Sequence, residues 1–462
     1  MDDWTQTLGA GPLLGIAAAA IALILVLVIR FKLHAFLTLI VVSLLTALAT
    51  GIPIGEIVNT LVGGFGSTLG TVALLIGLGA MLGKLVEHSG GARVLAEALV
   101  ARFGEKRASF ALGLASLIMG FPIFFDAGLV VMLPIIFAVA RRLGGNNVLA
   151  YGIPAAAAFS VMHVFLPPHP GPVAATELYG ANLGVVLIVG IILAFPVWYV
   201  SGYIWGKRVG TKYVLPVPGF FGAVDDDQPT NPPRFGTVIA VMALPLVLIF
   251  MNTGLDAAAA AGAVDEEAGW VRVLTLLGTS SIALLISVLV AMVVLGSRRG
   301  VEGTALEKVL DSSLGPVCSV ILITGAGGMF GGVLRTSGIG DALSDSLASI
   351  GLPVIVAAYV ISVILRLAQG SATVALVTAA GLMAPAVTAG DYNALQVACI
   401  TLATAAGSVF ASHVNDSGFW LVGRLMGMDV KTTLKTWTVQ QTIESVLAFA
   451  IISVIFVGAS AV

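Results

Sequence analysis

The sequence predicts an all-α polytopic membrane protein built from two inverted-topology repeats, and three observations lead to that fold class. Hydrophobic residues make up 58% of the 462 positions and charged residues 10%, which leaves too few charges to cover a soluble protein of this size. Long charge-free segments recur along the chain, and about 20 apolar residues are enough for a helix to cross a bilayer. One stretch of the first half also matches a stretch of the second half.

Eight charge-free segments predict continuous membrane-spanning helices. They are residues 5–29, 35–55, 57–83, 178–206, 235–255, 273–297, 312–334 and 445–462. Two further spans are interrupted, so that about ten full spans are expected in addition to two hairpins. Clusters of Lys and Arg near the span ends predict which loops are cytoplasmic, because positively charged loops are retained on that side of the membrane.

Four polar interruptions lie in otherwise apolar segments. Segments 108–140 and 346–390 are interrupted by GFPIFFD and RLAQGSAT, and each predicts a re-entrant helical hairpin. Segments 148–180 and 392–423 are interrupted by HVFLPPHPGP and ASHVNDSGF, and each predicts a broken helix. Non-helical backbone at membrane depth is tolerated only where it is buried in protein or lines a wet cavity. The interruptions therefore predict the substrate site of a secondary transporter.

The two halves of the chain repeat at an offset of 248 residues. This offset aligns residues 72–99 with 320–347, with ten identities in 28 positions and a shared GxGxMxG pattern. It also places His163 within two residues of the counterpart of His413. The charge count gives the matching spans opposite directions, which predicts an inverted repeat. The predicted parts are N-terminal helices 1–67, a first repeat 68–207, a cytoplasmic linker 208–234, connecting helices 235–311 and a second repeat 312–462.

Titratable residues at the interruptions are the candidates for proton coupling: Asp126, His163, His413 and Asp416. An ionised carboxylate in a desolvated site tends to take up a proton, as a coupling residue must do in each cycle. Capping of the following helix is the alternative role for both aspartates. The candidate substrate-binding residues are Gly120, Pro122, His169, Gln369, Gly370, Ser371, Thr373, Asn415 and Ser417.

Several of these residues have a structural alternative as well. Ser371 and Thr373 either bind substrate oxygens or cap a helix. His169 is either a ligand or a satisfied buried histidine. Arg366 either pairs with a substrate carboxylate or anchors its hairpin, and the anchor is the favoured interpretation.

Other classes of function have little support. The net charge of −2 provides no basic face for nucleic acid. The sequence contains no zinc, P-loop or dinucleotide motif, so that no metal, cofactor or catalytic residue is expected and ATP-driven transport is disfavoured.

At the four polar interruptions the chain resembles the gluconate:proton symporter (GntP) family. The resemblance runs nearly end to end and is strongest in GFPIFFDAG, HVFLPPHPGPVAA, GSATVA and SHVNDSGFW. It implies proton-coupled uptake of gluconate or a related aldonate or hydroxy acid across the bacterial inner membrane. It also implies an elevator-like motion and a homodimer in the lipid bilayer.

Two alternatives stay open. One is a sodium- or proton-coupled carrier of another small carboxylate or of an amino acid, such as glycerate or D-serine, because family members with different substrates share these motifs. The remote one is an intramembrane aspartyl protease, since Asp126 and Asp416 are two carboxylates at membrane depth.

Overall fold

The computed structural model describes residues 4–143, 147–218, 231–260, 262–339, 341–342, 352–413 and 416–459. All regular secondary structure in these ranges is helical, which confirms the all-α class. Eight helical segments in them are long and apolar enough to cross a membrane: Ile54–His88, Leu149–Tyr179, Leu183–Lys212, Phe235–Asp256, Ser280–Arg299, Val317–Thr336, Ala372–Ala389 and Val430–Ala459. The predicted spans 5–29 and 35–55 contain shorter apolar helices, whereas Ala372–Ala389, one arm of the predicted second hairpin, is long enough to cross.

The first half contains the longest helix and the first hairpin and break. Its helices are α1 (Ala10–Ile29), α2 (Ala35–Ala49), α3 (Ile54–His88), α4 (Gly91–Phe103), α5 (Ala108–Met119), α6 (Phe125–Leu143), α7 (Leu149–Phe165), α8 (Pro170–Tyr179), α9 (Leu183–Trp198) and α10 (Trp205–Lys212). Part of the predicted linker, residues 219–230, lies outside the described residues.

The second half begins with connecting helices and then repeats the earlier order of elements. Its helices are α11 (Phe235–Ala260), α12 (Gly269–Gly278), α13 (Ser280–Ala291), α14 (Gly303–Thr336), α15 (Val354–Gln369), α16 (Ala372–Ala389), α17 (Ala394–Gly407), α18 (Ser417–Leu425), α19 (Val430–Thr433) and α20 (Val439–Ala459). The start of the predicted second hairpin, residues 346–351, lies outside the described residues.

Both halves contain the same order of elements: a long helix, a hairpin, a broken helix and another long helix. The long helices α3 and α14 have 35 and 34 residues and pack against each other. Glycines allow this close approach, because a Cβ atom on Gly64 would lie 2.6 Å from the carbonyl oxygen of Gly328. Helix α7 lies in the interior, since 89% of the apolar window in Leu149–Tyr179 is buried. The first broken helix is therefore surrounded by protein.

Glycines of the GxGxMxG pattern that both halves contain also hold the first hairpin in place. The turn of residues 120–124 joins α5 to α6, inside the segment predicted as a hairpin. A Cβ atom on Gly83 of α3 would overlap the carbonyl oxygen of Pro122, so that the turn lies directly against that glycine. One helical turn earlier, Gly79 gives similar room to Pro168 in the first break. Residues of the repeated glycine pattern thus position both the first hairpin and the first break.

The last membrane helix begins earlier than its charge-free segment predicts. The prediction placed its start at Ser445, because Glu444 interrupts the apolar run. The helix instead runs through Val439–Ala459 and follows a π-helical turn at Leu434–Thr438. A buried carboxylate is therefore included in the helix. The prediction was wrong here because a side chain with several hydrogen-bond partners can be buried inside a span.

Candidate functional site

The turns of the two hairpins and the two helix breaks border one cavity of about 490 Å³. Residues from the first turns of α6, α8, α16 and α18 line it. A helix N-terminus is the positive end of the helix dipole, so that four of them around one cavity favour an anion. Pro170 and Pro172 remove two N–H donors from the first turn of α8, and side chains already cap α16 and α18. The predicted site residues in its lining are Pro122, Asp126, His163, Ser371, Thr373, Asp416 and Ser417.

Asp126 presents an exposed carboxylate to the cavity. It lies in the first turn of α6, directly after the turn of the first hairpin. Its carboxylate forms no hydrogen bond or ion pair with any other residue that the structure describes. The capping role considered for Asp126 is therefore not observed in the described residues, and its oxygens are available to a proton or a substrate group.

Asp416 is held in a polar network by its neighbours. Its side chain caps α18 by accepting a hydrogen bond from the N–H of Gly418 at 2.9 Å. It also accepts hydrogen bonds from the hydroxyl of Ser412 and from the Nη2 atom of Arg366, the latter at 2.5 Å. Arg366 is 3% exposed and donates a second hydrogen bond to the carbonyl oxygen of Gly370. The pair thus joins the second hairpin to the second break.

The hydroxyls of the second hairpin reach different partners. The side chain of Ser371 caps α16, where it accepts a hydrogen bond from the N–H of Val374 at 3.4 Å. The hydroxyl of Thr373 lies 3.4 Å from the Nε2 atom of His163 in the first break. Both residues line the cavity, so that the capping serine also borders it.

The two histidines of the first break have different environments. The Nε2 atom of His169 lies 2.6 Å from the carbonyl oxygen of Gly120, and the ring is almost fully buried. His169 therefore supports the first hairpin from behind. His163 packs its ring against His169 with centroids 4.9 Å apart and lines the cavity. Its Nδ1 atom is buried without a hydrogen-bond partner among the described residues.

Some predicted site residues lie away from the cavity. The Nε2 atom of His413 lies 3.2 Å from the carbonyl oxygen of Leu367, and His413 is not in the lining. Gly120 and Gly370 are not in the lining either. Their carbonyl oxygens form hydrogen bonds with His169 and Arg366. The side chain of Gln369 and the whole of Asn415 lie outside the described residues.

The lining also contains residues that the sequence did not single out. Ser160 comes from α7, and Gln441 from the start of α20. Trp437 precedes α20, donates a hydrogen bond from its indole nitrogen to the hydroxyl of Ser412 at 3.1 Å, and packs against Phe125 with ring centroids 5.8 Å apart. The polar run QQTIE inside an apolar segment was the available signal for Gln441.

Charges in the cavity wall nearly balance. Lys84 and Glu87 form an ion pair at 2.8 Å, and Arg366 and Asp416 form the buried pair described above. Asp126 is the remaining charged group among the described lining residues. Two cations against three carboxylates leave a charge of −1 when all five residues are ionised. An added anion would then meet net repulsion, which protonation of one carboxylate removes.

Known permeases are similar to this chain over nearly its whole length. The model of the GntP family of permeases matches residues 12–458. The inner membrane permease YgbN of Escherichia coli is 40% identical, over 95% of this chain and 97% of that protein. The gluconate permease of Bacillus subtilis is 39% identical, over 96% and 98%. The Gnt-II system L-idonate transporter of Escherichia coli is 35% identical, over 94% and 96%.

Solved structures share the fold at low sequence identity. The YdaH transporter of Alcanivorax borkumensis aligns with a TM-score of 0.65 and 16% identity, over 92% of this chain and 98% of that one. MtrF of Neisseria gonorrhoeae aligns with a TM-score of 0.63 and 15% identity, over 93% and 96%. These likenesses support the architecture and carry no information on substrate.

Proposed function

The chain belongs to the GntP family of permeases, and we propose that it imports gluconate or a related aldonate or hydroxy acid together with protons. It is a multi-pass membrane transporter of the bacterial inner membrane and not an enzyme. The protease alternative is therefore set aside.

The convergence of four helix N-termini on one cavity carries the proposal for the substrate. Gluconate has one carboxylate and several hydroxyls, so that it needs a positive or N–H-rich pole and hydrogen-bonding side chains. The N-termini of α6, α8, α16 and α18 supply the pole, and Ser371, Thr373 and Ser417 supply hydroxyls. The cavity of about 490 Å³ lies within the range of roughly 300–1,000 Å³ that is usual for small-molecule sites.

The charge balance of the wall supports protons as the coupling ion. Asp126 has no partner among the described residues, whereas Asp416 is bound to Arg366. In the proposed cycle Asp126 takes up a proton as the anion binds, and His163 lines the same cavity as a second titratable group. Asp416 is the weaker candidate for this step, because its protonation would break the buried ion pair.

The proposal extends to the movement that delivers the substrate. The repeated order of elements and the basic loops support two halves of opposite topology, and the family resemblance implies an elevator-like alternating access in a homodimer. The hairpins and broken helices would form the moving part, since they contain most of the cavity wall.

Uptake by the purified protein in liposomes tests this function. Labelled gluconate is expected to accumulate when the lumen is alkaline, without sodium, and unlabelled idonate is expected to compete more strongly than glycerate or D-serine. Accumulation that follows a sodium gradient at fixed pH would favour the sodium-coupled alternative. Strong competition by D-serine with none by gluconate or idonate would contradict the proposed substrate class.

A further inference from the structure

A fully buried carboxylate lies directly behind the cavity wall. Glu444 of α20 is 0% exposed. Its Oε1 atom accepts a hydrogen bond from the hydroxyl of Ser160 at 3.0 Å, and its Oε2 atom accepts hydrogen bonds from the amide nitrogens of Gln440 at 2.8 Å and Gln441 at 3.1 Å. The amide of Gln441 also donates to Ser160 at 2.8 Å. These four residues form a buried polar cluster, here called the Glu444 cluster, and Gln440 also donates to the hydroxyl of Ser201 at 3.4 Å.

The hydrogen-bond partners of Glu444 are all neutral. No Lys, Arg or His in the described residues lies within 4.0 Å of its carboxylate, whereas the other buried carboxylate, Asp416, has Arg366 as its counter-ion. An ionised carboxylate that is buried without a counter-ion is costly in a protein interior. A protonated carboxyl avoids this cost and gains a donor for Ser160. The Glu444 cluster is therefore suited to hold a proton.

The cluster is connected to the cavity by two of its members. Ser160 and Gln441 both line the cavity, although Glu444 does not. A proton can thus pass from water in the cavity to the Ser160 oxygen while Ser160 gives its own hydroxyl proton to the Oε1 atom of Glu444. One O–H bond breaks and one forms at Ser160, and the net change is one proton added to Glu444. The transfer needs no large movement, because the two oxygens are already 3.0 Å apart.

The cluster is also connected electrostatically to the site of the anion. Arg366 lies in the cavity wall and Glu444 lies behind it, and opposite charges attract through a low-dielectric interior. Neutralising Glu444 therefore raises the positive potential around Arg366, and an anion in the cavity gains from it. Other titratable groups on the elements around α20 are Tyr151 and His163 on α7, Tyr199 and Tyr203 in the π-helical turn 199–204, Cys399 on α17 and Lys435 in the π-helical turn 434–438. Tyr359 on α15 contacts Ser445, and Asp416 immediately precedes α18.

We propose that Glu444 is a proton-binding site whose occupancy strengthens anion binding in the adjacent cavity. The inference rests on the proposed function, since it takes gluconate as the anion and protons as the coupling ion. Binding of the proton at Glu444 and of the anion near Arg366 is then cooperative, and each raises the affinity for the other by the same factor. Asp126 faces the cavity, whereas Glu444 acts from behind its wall.

The variant Glu444→Gln keeps the shape of the side chain and is neutral at every pH. Gluconate binding to the purified full-length protein would be measured by titration calorimetry at acidic and alkaline pH. At acidic pH the variant is expected to bind gluconate with the same affinity as the unmodified protein. At alkaline pH its affinity for gluconate is expected to be at least about fivefold higher than that of the unmodified protein. Glu302→Gln makes the same chemical change at an exposed position outside the site and is expected to alter neither affinity.

Equal affinities of Glu444→Gln and the unmodified protein at alkaline pH would overturn the inference.

Thermal unfolding without substrate provides a second measurement that does not depend on the identity of the anion. The unmodified protein is expected to lose more stability than Glu444→Gln between acidic and alkaline pH, and parallel losses would also overturn the inference. If gluconate does not bind the unmodified protein while this stability difference is present, the proposed substrate is wrong and the proton site is retained. Should Glu444→Gln not fold, Glu444→Asp is expected to shift the pH profile of gluconate binding, and an unshifted profile would count against the site.

Discussion

Two opposite charges stabilise each other in the interior of the site. Arg366 is 3% exposed, and its guanidinium lies 2.5 Å from the carboxylate of Asp416. Burial of either ion alone would cost several kcal/mol, and the attraction between the two offsets this cost. Because Arg366 lies near the end of α15 and Asp416 immediately precedes α18, the pair also holds the second hairpin against the second break.

Asp416→Asn is expected to destabilise the protein strongly. The variant keeps a capping side chain but leaves Arg366 buried without a counter-ion, which costs about 3–5 kcal/mol. Thermal unfolding in detergent would measure the loss. Asp429→Asn is the matched control, because Asp429 caps α19 through the N–H of Thr432 at an exposed position, and its loss should be much smaller. Similar losses in both variants would argue against a stabilising pair.

Asp126→Asn is expected to abolish accumulation driven by a pH gradient while the protein stays folded. The carboxylate has no partner among the described residues, so that its removal breaks no contact there. In liposomes the unmodified protein should reach about tenfold accumulation per pH unit if one proton enters with each anion, and the variant should only equilibrate gluconate. Asp391→Asn, at an exposed position, is the control. Full accumulation by Asp126→Asn would remove Asp126 from the coupling role.

The sequence predicts the residue types of the site better than their roles. Polar side chains in apolar segments identified Asp126, His163 and Asp416, which all line the cavity. The partner of Arg366 could not be predicted, because Asp416 is 50 positions away and only the folded chain brings them together. For the same reason the sequence could not show that His169 binds the first hairpin turn from behind.

At the scale of elements, the contact between α3 and the first hairpin depends on one missing side chain. The carbonyl oxygen of Pro122 occupies the space that a Cβ atom on Gly83 would take. The hairpin turn, and with it Asp126, is therefore positioned by a glycine on a neighbouring helix.

Gly83→Ala is expected to reduce gluconate uptake by displacing this turn. Overpacking of this kind typically costs about 1–3 kcal/mol, and the displacement also moves the wall of the cavity. Initial uptake rates in liposomes and thermal unfolding would both be measured. Gly70→Ala lies on the same helix with open space around its Cβ position and should leave both values near those of the unmodified protein. Unchanged uptake in Gly83→Ala would show that the turn tolerates displacement.

Element positions were predictable where the chain itself interrupts a helix. Proline, glycine and charged residues inside apolar segments place the hairpin turns and breaks, since these residues disfavour a continuous helix in lipid. The start of α20 was not predictable in this way. In the sequence, the charge of Glu444 marks the expected end of an apolar span. Its hydrogen-bond partners on α7 and in its own helix allow it to be buried instead.

At the scale of the whole molecule, the repeated glycine pattern predicts two related halves, and both contribute to the cavity. The first half supplies Asp126 and His163, and the second supplies Arg366, Thr373 and Asp416. The convergence of four helix N-termini could not be predicted from the sequence, because it depends on how the halves pack against each other.

Transport of one anion with one proton moves no net charge across the membrane. Uptake of gluconate is therefore expected to respond to a pH gradient and not to a potassium diffusion potential imposed at equal pH. Each net charge moved would add about 2.3 kcal/mol of driving force per 100 mV. A strong response to the potential would indicate more than one proton per anion.

Trp437 gives the transport site an intrinsic optical reporter. Its indole lies in the cavity wall, packs against Phe125 and is hydrogen-bonded to Ser412, which in turn binds Asp416. Occupation of the cavity should change the polarity around this ring and hence its fluorescence emission. The wavelength shift on addition of gluconate is expected to disappear in Trp437→Phe, while a shift that persists would come from another of the six tryptophans. Occupancy could then be followed by emission alone, without labelled substrate.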